Sequence, residues 1–138
     1  MKQVELKIPS ERIIGFTIPR DGCFHVCDHD EVWSVRIGPP ASVEVTDYPP
    51  YDFANTNADF VGWGQENGRE LKRVGSTEIA YDFDPPQDFQ TIECKVAGRV
   101  ERLKFRTLSG DWFTASLSTE GRFLVLAEPY RLEVYDLA

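Results

Sequence analysis

Apolar and polar residues alternate along most of this chain, and that period of two decides what it can fold into. In VELKI (4–8), Val4, Leu6 and Ile8 oppose Glu5 and Lys7, and SVEVT (42–46) and IECKV (92–96) repeat the pattern. RLKFRTL (102–108) continues it with Leu103 and Phe105. RLEVYDL (131–137) closes the chain with Leu132 and Val134 against Glu133 and Tyr135. Successive side chains of a strand point to opposite faces, so half-buried strands read this way.

Turn residues fall between the runs, among them PRDG (19–22), GPP (38–40), ENG (66–68), DPP (84–86), SGD (109–111) and TEG (119–121). Their spacing of about 8–12 residues is that of an antiparallel sandwich or barrel. The nine prolines, mostly at these breaks, disfavour long helices. The expected fold is all-β: one antiparallel domain over residues 1–138, a sandwich or barrel of about ten strands, with room for one short helix.

Residues 86–105 are ambiguous. Phe89, Ile92, Val96, Val100 and Leu103 fall at helical steps of three and four, yet two strands joined at Ala97-Gly98 fit the same letters. The hairpin is preferred, because Gly98 costs about 1 kcal/mol inside a helix and Thr91, Ile92, Val96 and Val100 are β-branched. If the chain has a helix, this is where it is expected. Residues 47–70 read poorly as either element, and a long aromatic excursion in a β domain is often where binding happens. DGCFHVCDHDEVWSVRI (21–37) and EGRFLVLAEPYRLEVYDL (120–137) echo each other as strand pairs, but a chain of 138 residues is too short to close a propeller.

Composition narrows the function classes. A hydrophobic fraction of 41% in 138 residues is enough for a core without disulfides or metal. The net charge of −8 argues against a nucleic-acid partner and favours a basic protein partner or a small ligand. No run approaches the roughly 18 apolar residues of a membrane span. Glu5, Lys7, Glu11 and Arg12 interrupt any N-terminal signal. Three cysteines, an odd count, suit the reducing cytoplasm.

CFHVCDH (23–29) concentrates two cysteines and two histidines. On a strand Cys23, His25 and Cys27 share one face, while Cys23 and His29 stand about 20 Å apart, too far to share one ion. The stripe therefore reads as side chains filling a sheet face, although metal binding at Cys23, His25 and Cys27 stays open. A thiol nucleophile would need an imidazole aimed at the sulfur and an oxyanion hole, neither of which a flat strand supplies. NTNADFVGWGQE (55–66) places Asn55, Asn57, Asp59 and Glu66 at calcium-loop positions 1, 3, 5 and 12. Phe60 stands where that loop needs glycine, so a turn is the better account. Arg102, Lys104 and Arg106, with Arg99 nearby, form a basic stripe suited to cross-strand pairing or to a charged sheet edge, with a local anion site as the alternative.

Trp33 and Trp112 lie in strand-like runs and are expected in the core. Trp63, between Gly62 and Gly64, is expected to be exposed. The motif YDF occurs at 51–53 and again at 81–83, each beside PP. No GxSxG elbow, HExxH, P-loop or dinucleotide fingerprint is present. The sequence assigns no catalytic, metal or cofactor residues. It points to a non-catalytic interaction or ligand-binding module working through residues 47–70, with Trp63 as anchor and Tyr51, Phe53, Phe60 and Tyr81 as further contacts. A second reading is a small barrel-type hydrolase or isomerase using His25, Asp30 and cysteine in a cup. A homodimer through an exposed strand edge is also open.

Overall fold

A computed structural model of the chain describes residues 1–63 and 68–138. Thirteen strands and one helix are formed among them: β1 (Lys2–Val4), β2 (Ile13–Thr17), β3 (Cys23–Asp28), β4 (Val32–Arg36), β5 (Ser42–Val45), α1 (Pro50–Thr56), β6 (Phe60–Gly62), β7 (Arg73–Val74), β8 (Thr77–Ala80), β9 (Phe89–Val96), β10 (Arg99–Arg106), β11 (Thr114–Leu117), β12 (Phe123–Glu128) and β13 (Arg131–Asp136). The expected all-β architecture is present. The strand count exceeds ten because β1, β6 and β7 are only two or three residues long, too short for a period to register.

The strands form three antiparallel sheets, ordered β1-β13-β12-β11, β5-β4-β3-β2-β6 and β10-β9-β8-β7. Among the described residues no sheet closes into a barrel; the three pack face to face, like a sandwich with an extra layer. Phe123, Val125 and Ala127 point to one side of β12, where they meet Phe16, Phe24, Val26 and Val35 of the five-stranded sheet. Leu124 and Leu126 point to the other side, against Ile79, Ile92, Cys94 and Phe105. The sheet holding β12 is thus the middle layer. This explains FLVLA, a run with no polar alternation: a strand covered on both faces has no wet side to mark.

Residues 89–106 form the hairpin. Its two-residue turn puts Ala97 at φ 50° and Gly98 at φ 79°, the left-handed pair of a type I′ turn. Ile92, Cys94 and Phe105 are buried, whereas Phe89 and Val100 are half exposed on the opposite face. The helical spacing of Phe89 and Val100 with the core residues was coincidental. The helix lies instead at Pro50–Thr56, where Pro49-Pro50 fixes an extended entry and a proline-led first turn. It lies over the outer face of the five-stranded sheet, burying Ala54 in a cluster with Ile14, Cys27, Val32 and Phe60.

Where β2 meets β6 the backbones touch closely. A Cβ on Gly15 would stand 2.4 Å from the Phe60 ring and from the Val61 carbonyl oxygen. Gly62, at φ 148°, would place a Cβ 2.5 Å from Gly15 Cα and from Ile14 O. Only glycines allow this approach, and it sets the position from which Trp63 leaves the sheet.

Candidate functional site

One end of the molecule gathers segments that are remote in sequence. Arg12 lies just before β2, His29 in the β3–β4 turn, Tyr51 in α1, Trp63 just past β6, and Asp111 and Trp112 between β10 and β11. Arg12, Ile13, Ile14, His29, Trp63, Asp111 and Trp112 line a cleft of about 550 Å³, within the range of small-ligand sites. Ile13, Ile14 and Trp112, all nearly buried, give it an apolar floor. Trp63 is 60% exposed at its wall. The Trp63 backbone N–H donates to Ile14 O at 2.9 Å, so this exposed indole leaves from a fixed stem.

Polar groups converge on the rim. Arg12 Nη2 donates to Asp111 Oδ2 at 2.8 Å, and the Arg12 guanidinium lies 5.8 Å from the centre of the Tyr130 ring. His29 Nδ1 and the Tyr51 hydroxyl share a hydrogen bond of 2.7 Å. Tyr51 and Tyr130 are both about half exposed, so His29 and Arg12 each have an exposed aromatic ring beside them. Beside the cleft, and sharing Arg12 and His29 with it, runs a trough of about 570 Å³ also lined by Glu11, Asp30, Glu31 and Trp33.

A buried carboxylate holds the underside together. Glu128, fully buried at the end of β12, accepts the backbone N–H of Leu108 at 2.6 Å, of Ser109 at 3.0 Å, and of Tyr130. Ile13 N–H donates to Pro129 O at 2.6 Å, tying the cleft floor to the same turn. EP at 128–129 reads as a surface turn. Glu128 turns inward because three backbone donors there have no ladder partner.

The structure separates the expected contacts. Trp63 lines the cleft, and Tyr51 reaches it through His29. Phe53 faces the other way, its ring 5.1 Å from that of His25 and 5.3 Å from that of Tyr48. Phe60 is 3% exposed, pressed over Gly15 beneath α1, and forms no part of the cleft. Tyr81 belongs to the far side of the molecule, where its hydroxyl accepts Ala115 N–H at 3.1 Å and donates to Ala115 O at 3.3 Å. Gly64 and Glu66, which the expectations for Trp63 and the calcium loop invoked, lie outside the described residues.

The cysteine–histidine stripe is the sheet face beneath the helix. Cys27 is fully buried there, and burial, helped by the Asp28 charge, pushes its thiol up to about 12. That is the opposite of what a thiolate nucleophile needs. His25 is half-buried between Tyr48 and Phe53, and burial lowers its pKa. Among the described residues Cys23 and Asp30 line separate hollows, Cys23 beside Ser34 and Arg36 and Asp30 in the trough next to the cleft. Among the described residues no three His, Cys, Asp or Glu side chains gather as a metal ion would require.

Arg12, His29 and Asp111 carry no local motif; Arg12 and Asp111 are 99 positions apart. Only the fold brings them together. Compared with protein families, curated proteins and solved structures, the chain matches none.

Proposed function

We propose that this chain is a non-catalytic binding module that holds a partner segment in the end cleft, with Trp63 as the anchoring side chain. The observation that carries the reading is a tryptophan residue 60% exposed yet held through its backbone, beside an apolar floor in a cleft of ligand size. A large exposed aromatic side chain on a fixed stem is suited to association, where aromatic anchors dominate.

The partner favoured is a basic protein segment. Glu11, Asp30 and Glu31 line the adjoining trough, and a chain of net charge −8 attracts cations at long range. A lysine or arginine in the trough, next to an aromatic or aliphatic side chain in the cleft, fits both. The three cysteines are free, which suits the reducing cytoplasm. Among the described residues no helix is long and apolar enough to cross a membrane.

An array of random twelve-residue peptides, probed with the full chain and with Trp63→Ala, tests the reading. Sequences pairing lysine or arginine with an apolar neighbour are expected to be retained. Trp63→Ala is expected to weaken them by about tenfold or more, with the unfolding midpoint unchanged. Equal retention by the two proteins would remove Trp63 from the site.

A further inference from the structure

The hairpin of β9 and β10 carries five of the chain's 15 basic residues (Lys95, Arg99, Arg102, Lys104 and Arg106) and only two of its 23 acidic ones. β10 is also the edge of its sheet, paired with β9 and, among the described residues, with nothing else. We propose that this edge takes an acidic, extended peptide as an added strand.

The register specifies which backbone groups are free. In a hairpin with a two-residue turn, the residues flanking the turn, Val96 and Arg99, exchange both hydrogen bonds, and bonded pairs then alternate with non-bonded ones. Glu101, Leu103 and Phe105 therefore bond to β9, and Thr107 N–H, in the same parity, donates to Asp88 O at 2.8 Å. Val100, Arg102, Lys104 and Arg106 point their N–H and C=O groups outward. Arg131 Nη1 caps Arg106 O at 3.4 Å, which among the described residues leaves the row from Val100 to Lys104 open.

Side chains and backbone select the same partner. Glu101, Leu103 and Phe105 face inward, so Arg102, Lys104 and Arg106 stand together on the outer face. Glu93 stands directly across from Arg102 and already meets Arg102 Nε at 3.4 Å. A second copy of β10 laid along the edge would bring like charges together, and such edges resist self-pairing. An acidic strand meets no such penalty. It satisfies the free backbone row, which a nucleic acid cannot do, and sets carboxylates beside Lys104 and Arg106.

The test uses the full ¹⁵N-labelled chain and the peptide acetyl-Glu-Val-Glu-Val-Glu-Val-amide at low salt. Amide exchange at Val100, Arg102 and Lys104 is expected to slow about tenfold or more on saturation, with Glu101 and Leu103 unchanged. The lysine-for-glutamate counterpart is expected to give no protection. Lys104→Pro removes an outward N–H from a position where edge strands tolerate proline. It is expected to weaken binding about tenfold or more beyond Lys104→Gln, which loses only the charge. Binding without protection of those three amides overturns the proposal, and so does equal affinity of the two variants. Binding of an oligothymidylate but not of the peptide overturns it as well, since the surface would then be a polyanion face. Should Lys104→Pro fail to fold, the exchange pattern of the unaltered chain decides.

Discussion

Asp28 accepts the backbone N–H of Asp30 at 2.7 Å and of Glu31 at 2.6 Å, and the Trp33 indole N–H at 3.3 Å. Burial by itself would raise its pKa. The Glu31 and Asp30 backbone donors, with the indole, outweigh burial and hold the carboxyl below its ordinary value. The sign follows from that direction. A depressed folded pKa gives stability that is present above the unfolded value of about 3.9 and is lost as pH falls through the folded one. Urea unfolding of the wild type is expected to lose stability on acidification through that window. Asp28→Asn is expected to be less stable at neutral pH and flatter on the acid side. A wild-type curve no steeper than that of the variant would show that Asp28 does not control the acid limb. CDHDE gave no hint of this role, because among four polar neighbours only the turn geometry says which one folds back. Trp63 was easier to place, since flanking glycines leave a large ring little local cover.

The β9–β10 hairpin shows how two periods can compete in one segment. Its letters satisfy both helix and strand until the turn is considered, and Ala97-Gly98 at left-handed angles then excludes the helix. Alanine is a poor occupant of that position, at a cost of about 1–2 kcal/mol relative to residues that visit it readily. Ala97→Asn is expected to stabilise the chain by about 1 kcal/mol, read as a rise of a few degrees in melting temperature. A fall would mean that the turn is not of type I′ in solution. The helix at Pro50–Thr56 escaped notice because seven residues give barely two turns, too few for a stripe. The Pro49-Pro50 pair was the available signal, and it reads equally well as a loop.

Burial on both faces of the middle sheet ties the outer layers together. Val125 and Leu126 are neighbours on β12, yet one packs against the five-stranded sheet and the other against the sheet of β7–β10. Val125→Ala and Leu126→Ala are each expected to destabilise the whole chain, Leu126→Ala by about 2–5 kcal/mol and Val125→Ala by less. Both are expected to shift a single unfolding transition seen alike by tryptophan fluorescence and far-ultraviolet dichroism. Two separated transitions would show that the layers melt independently. The period of two announced an all-β chain, but not its layer order. FLVLA is compatible with any fully covered strand, and only the partners of each face reveal that it lies between two other sheets.

Glu128 has one more consequence. Leu108, Ser109 and Tyr130 hang from the same carboxylate, and Pro129 beside it grips Ile13. The loop carrying Asp111 and the turn carrying Tyr130 therefore share a single rivet, and under the proposed function a guest arriving between them would find a mouth already set. Little chain ordering would be left for the moment of capture, so occupancy should register as faster or slower departure of the guest more than as reshaping of its host.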